Sequence, residues 1–112
     1  MKNNIQHKSL ANGRWAQMPL CEQMANIGSE VNRALNWRIK NNDSLSKKAI
    51  NRALELLDLS RASTKSFSCL KELSRLRECI VDYFYYDNQY SSSEDSWRKY
   101  FHYFNLAARR GC

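Results

Sequence analysis

Four stretches of this chain space their apolar residues at alternating intervals of four and three, and little inside them breaks a helix. Leu20, Met24, Ile27, Val31 and Ala34 make the first stripe; Cys69, Leu73, Leu76, Ile80 and Tyr83 make the third. That rhythm tracks the 3.6-residue period of an α-helix, so each stripe lies on one face and needs a partner to cover it. Only three glycines and one proline occur in 112 residues, so tight turns are few, which favours helices over many short strands. The expected fold is all-α: an up-down four-helix bundle over residues 15–112, with a short flexible arm over residues 1–14.

The boundaries follow from local chemistry. The first helix is expected over Pro19–Lys40, with proline at the first helical position and Asn41-Asn42 as the stop. The second should start with Asp43 or Ser44 as N-cap and run to Leu59, carrying Ala49, Ala53 and Leu56 on one side and Ile50, Leu54 and Leu57 beside them. Residues 60–66 read as a polar connection. The third helix is expected over Phe67–Tyr86. The fourth opens at Ser92 with Asp95 three later, resembling a capping box, and closes at Arg109-Arg110-Gly111. Gly28 falls inside the first helix, where it costs about 1 kcal/mol against alanine. Its expected use is close approach of a neighbouring helix.

Eighteen Lys and Arg against eleven Asp and Glu leave a formal charge of +7. A cation excess on so small a domain attracts polyanions through the summed field. No block of five like charges exists, which argues against a basic nucleic-acid-binding tail. The start, Met1 to Lys8, has no apolar core of a signal peptide, and no window approaches eighteen apolar residues. A cytoplasmic protein with no membrane partner and four reduced cysteines is the expectation. No Cys-x-x-Cys pair occurs, so neither a zinc site nor another cofactor is expected.

Ten of the thirteen aromatic residues fall between Tyr83 and Phe104. Tyr83, Phe84, Trp97, Phe101 and Phe104 suit the core. The remaining rings, interleaved with cations, are candidates for stacking on unpaired bases or on a protein surface. The candidate binding residues are Lys47, Lys48, Arg52, Tyr85, Tyr86, Tyr90, Arg98, Lys99 and Tyr103. The fourth helix carries apolar residues on two sides, Trp97, Phe101, Phe104 and Ala108 on one and Tyr100, Tyr103 and Ala107 on the other. That excess points to self-association.

Two enzyme readings stand beside this one. Glu55 and Asp58, with Glu78 and Asp82, are two carboxylate pairs at helical spacing that could hold Mg²⁺. Glu55-x-x-Asp58 resembles the second half of the motif in bundle-type nucleotide pyrophosphatases, whose first half is missing here. The alternative for these carboxylates is pairing with arginines, Glu30 with Arg33, Arg52 with Glu55, and Arg75 with Glu72 and Glu78. Arg98 and His102 resemble the Arg and His of HEPN-class ribonucleases at a spacing one residue short. His7 lies in the arm. No phosphate-cradling glycine loop and no nucleophile elbow is present.

Met24-Ala25-Asn26-Ile27-Gly28-Ser29-Glu30-Val31, Arg52-Ala53-Leu54-Glu55-Leu56-Leu57-Asp58-Leu59, Leu70-Lys71-Glu72-Leu73 and Asp82-Tyr83-Phe84 resemble a group of small prokaryotic helical proteins that brings no activity with it. In architecture alone, a short basic four-helix bundle is similar to the accessory proteins of diversity-generating retroelements. That likeness implies ring assembly and nucleic-acid binding. The reading reached is a non-catalytic binding or assembly module for nucleic acid or an acidic protein, with a small nuclease or phosphohydrolase as the alternative.

Overall fold

In a computed structural model that describes residues 13–110, every described element is helical. A short turn, α1 (Trp15–Gln17), precedes four long helices: α2 (Leu20–Ile39), α3 (Asp43–Ser63), α4 (Phe67–Tyr85) and α5 (Glu94–Arg109). The arm expected over residues 1–14 falls mostly outside the described residues, as do His7 and the Gly111 stop. No helix among the described residues is long and apolar enough to cross a membrane.

The helices begin where side chains can satisfy free backbone N–H groups, and these positions differ slightly from those expected. Pro19 lies outside α2, as its N-cap, rather than at the first helical position. Asn42, not Asp43 or Ser44, caps α3: its Oδ1 accepts the N–H of Leu45 at 3.1 Å. Asn41 supports the reversal with φ of 61°, a left-handed conformation that asparagine tolerates. Ser93 caps α5 in place of Ser92. Its Oγ accepts the Ser96 N–H at 3.0 Å while Ser96 Oγ accepts the Ser93 N–H at 2.8 Å. The capping box is therefore built from two serines rather than from Asp95.

The largest boundary difference lies at the end of α3, which runs to Ser63 through residues expected to form a loop. Ser60 and Arg61 are polar but anchored. Ser60 is buried and accepts the indole N–H of Trp15 at 2.8 Å while donating to Gln23 Oε1 at 2.6 Å. Arg61 reaches Asp58 at 3.1 Å and Ser74 at 3.2 Å. Long-range polar contacts thus keep helical a segment whose composition alone suggests a turn.

α2 is the central element: it packs along α3 on one side and α5 on the other, while α4 leans on α3 and α1 rests against α3. Met24, Ile27, Val31 and Ala34 of the α2 stripe are buried with Ala49, Ile50, Ala53 and Leu57 of α3, Leu73 and Ile80 of α4, and Trp97 and Phe101 of α5. Leu20, expected to open the α2 stripe, is 44% exposed. Burial in that turn goes instead to Cys21 and Gln23, whose amide donates to the carbonyls of Trp15 and Met18 at 2.9 and 3.1 Å. Cys21 is disulfide-bonded, which corrects the expectation of four reduced thiols; Cys69 and Cys79 are free.

The connection from α4 to α5 is organised by one carboxylate. Asp82 is buried, and its two oxygens accept the N–H groups of Gln89 and Tyr90 at 2.8 and 3.0 Å. Hydrogen bonds to a charged acceptor are worth about 1.5–3 kcal/mol. Asp82→Ala is expected to lower stability by roughly that amount and to speed hydrogen exchange at the Gln89 and Tyr90 amides. Unchanged exchange at both would show that the loop holds itself.

Candidate functional site

The tight Asn41–Asn42 reversal places the C-terminus of α2 beside the N-terminus of α3, and the last turn of α4 comes to the same end. This juxtaposition interleaves cations with rings. The Arg38 guanidinium lies 4.6 Å from the centre of the Tyr83 ring and 5.5 Å from that of Phe84, and donates to the Tyr83 carbonyl at 3.3 Å. Lys40 Nζ is 5.3 Å from the Trp37 ring, and Lys47 Nζ is 5.6 Å from Tyr85. The Tyr85 hydroxyl donates to Asn51 at 2.7 Å, fixing α4 to α3. Lys48 is exposed next to Lys47, and Tyr86 is 73% exposed. Cations at the end of α2 are also favoured by its dipole. Lys47 faces the opposite problem at the start of α3, which Asp43 relieves with an exposed ion pair at 3.2 Å.

Of the sequence candidates, Lys47, Lys48, Tyr85 and Tyr86 belong to this end of the domain. Trp37, Arg38 and Lys40 join them unforeseen; the signal that could have found them was the two-asparagine turn, which brings Arg38-x-Lys40 next to Lys47-Lys48. Arg52 is committed elsewhere, donating to buried Glu30 at 3.1 Å beside the Arg33–Glu30 pair, also 3.1 Å. Tyr90 turns to Glu78, at 3.4 Å. That carboxylate's charge holds the phenol above its ordinary pKa. Lys99 pairs with Asp95 at 3.1 Å on the exposed face of α5. Tyr103, 68% exposed on the same helix, packs its ring against Phe104 with centres 5.2 Å apart.

Asp58, Glu78, Asp82 and Arg98 of the two enzyme readings are held by structural partners. Asp58 is held by Arg77 at 2.8 Å and Arg61 at 3.1 Å, Asp82 caps its loop, and Glu78 accepts from Tyr90. Among the described residues no group of three or more His, Cys, Asp and Glu side chains comes together as a metal site. Of the expected arginine pairs, Glu30–Arg33 forms. Arg75 makes no ion pair with Glu72 or Glu78, and Arg52 turns to Glu30. Arg98 bridges α5 to α2, donating to Glu94 and to Asn36, each at 2.9 Å, while His102 one turn on is exposed.

A second feature lies between α4 and α5. These helices follow one another in the chain, yet they meet chiefly through long side chains, because α5 packs on α2. Tyr100 reaches across to donate to Glu72 at 3.1 Å; burial and that carboxylate push its phenol well above the ordinary value. Cys79 is half-buried beneath, and burial, reinforced by the Asp82 charge, raises its thiol pKa. The cleft so formed holds about 220 Å³ and is lined by Leu76, Cys79, Trp97 and Tyr100, with Glu72, Arg75, Ser92 and Ser96 around it. The chain matches no protein-family model, no curated protein and no solved structure.

Proposed function

We propose that the chain is a non-catalytic module that binds single-stranded nucleic acid through the end of the domain where α2 gives way to α3. The observation that supports this reading is the grouping there of Arg38, Lys40 and Lys47 with Trp37, Tyr83 and Tyr85 from three helices. Cations neutralise phosphates without regard to sequence, and exposed rings offer stacking surfaces that any base can use. Trp37 and Tyr83 are half-buried, so the exposed rings at this end are those of Tyr85 and Tyr86, with Lys48 exposed beside Lys47.

The test is fluorescence anisotropy with a labelled single-stranded oligonucleotide and a duplex of equal length. With about four phosphate contacts, a fourfold rise in salt is expected to weaken single-strand binding about 50-fold. Lys47→Glu with Lys48→Glu should remove most of that affinity. Tyr86→Ala should cost single-strand binding about tenfold, within the range of one base stack, and leave duplex binding little changed. Binding that ignores salt, or persists in the double charge reversal, would set the proposal aside. Salt-sensitive capture of an acidic protein that no oligonucleotide displaces would point to that partner instead.

A further inference from the structure

We infer that Cys21 and Cys112 form a disulfide within the chain, that this bond clamps the second half of α5 onto α2, and that thiol–disulfide exchange there controls whether that half stays docked. Cys21 is disulfide-bonded, whereas Cys69 and Cys79 carry free thiols. The sequence holds four cysteines, so Cys112, which lies outside the described residues, is the one left to bond with Cys21 inside the chain. The register of α5 on α2 supports the same pairing, for the two helices run antiparallel. Arg98 near the start of α5 donates to Asn36 near the end of α2 at 2.9 Å. One turn on, Phe101 lies against Gly28. Farther along, Asn105, Ala108 and Arg109 face Glu22, Ala25 and Asn26 across a shared groove. Carried one step past Arg109, this register comes level with the first turn of α2, where Cys21 is 6% exposed. From Arg110 to Cys112 is two residues of chain, a reach of about 7 Å. Bridged cysteines hold their Cα atoms about 4.4–6.8 Å apart, so the reach and the requirement agree.

The second half of α5 is where such a tie has most effect. The buried side chains of this helix, Trp97 and Phe101, both lie in its first half. Beyond them Phe104, Asn105, Ala107 and Ala108 are only half-buried, and α5 has little purchase on α4. A segment with few buried contacts opens locally at low cost. A crosslink at its end suppresses that opening, and reduction restores it. In forming the bond each thiol gives up one proton and one electron. The oxidant is a second disulfide, of the glutathione disulfide class, which takes up both protons and both electrons and leaves as two thiols. The reverse exchange, driven by thiols, releases the clamp.

The experiment uses the full chain, equilibrated with glutathione disulfide or with a phosphine reductant and then denatured in N-ethylmaleimide. The oxidised chain should take up two maleimides, on Cys69 and Cys79, and the reduced chain four. Tryptic digestion without reductant should yield the Cys21 and Cys112 peptides joined, from a protein of monomer mass. Reduction should lower the Tm by about 10 °C, the scale of one native disulfide in a domain of this size. Amide hydrogen exchange should rise most over residues 102–109, by about tenfold or more. Cys112→Ser should match the reduced protein under both conditions; it leaves the buried Cys21 in place, so it is not expected to unfold the chain. Four maleimides on the oxidised chain, a bond to Cys69 or Cys79, a glutathione adduct on Cys21 or a disulfide-joined dimer overturns the pairing. An exchange increase no greater over residues 102–109 than in α3 overturns the control of α5.

Discussion

Replacing Gly28 by alanine should destabilise the protein by about 1–2 kcal/mol even though alanine is the better helix former. A Cβ built at Gly28 would lie 2.7 Å from Cβ, Cγ and Cδ1 of Phe101, where unstrained carbon pairs sit about 3.5–4.0 Å apart. Phe101 is fully buried on α5, and its own Cβ cannot move without its backbone, so no rotamer change relieves the clash. α2 and α5 must separate, loosening the core around Ile27, Val31 and Trp97. Overpacking of this kind costs about 1–3 kcal/mol, sometimes more, against a helix-propensity gain of about 1 kcal/mol. Gly28→Ala should therefore melt roughly 10 °C lower, and Phe101→Leu added to it should not restore stability, because Cβ and Cγ remain. A Gly28→Ala protein as stable as the parent in urea would mean that the two helices stand farther apart than described.

Trp15→Ala should cost more, about 3–5 kcal/mol, a large part of what a domain of this size possesses. Trp15 is 2% exposed and joins the main core from outside the four long helices. Its removal leaves a large cavity. It also deprives Ser60 of the indole donor and loosens the loop in which Gln23 holds the Trp15 and Met18 carbonyls. Trp15→Phe keeps most of the volume but not the N–H, and should lose about 1–2 kcal/mol. Ser60→Ala should fall in a similar range, since it strands both the indole N–H and the Gln23 carbonyl oxygen. Chemical denaturation of the three variants should give that order; a Trp15→Ala protein within 1 kcal/mol of the parent (roughly the worth of one hydrogen bond) would show that α1 is dispensable.

These two positions also mark where reading the chain in one dimension succeeds and fails. Gly28 was legible as a close-approach site, because a glycine inside a strong apolar stripe has few other uses, although its partner was not. Trp15 was not legible as core. A three-residue turn has no periodicity, and its partner Ser60 sits in a stretch that resembles a loop. The candidate surface divides in the same way. Lys47, Lys48, Tyr85 and Tyr86 could be named from charge and ring content. Arg52 and Arg98 look identical in sequence, but both are occupied by polar partners from α2, Glu30 and Asn36.

The chain alone determined the helical class, the stripe on each long helix and the approximate stops, because backbone geometry, capping and face periodicity act over a few residues. The tertiary structure decided that α5 turns to α2 and not to its neighbour α4, that the carboxylates spread among arginines and loop amides, and that cations and rings gather at one end. Such outcomes depend on which faces meet, and a face with an apolar stripe carries no address for its partner. That is settled by the fit of whole side-chain layers, here by a glycine small enough to let a phenylalanine in.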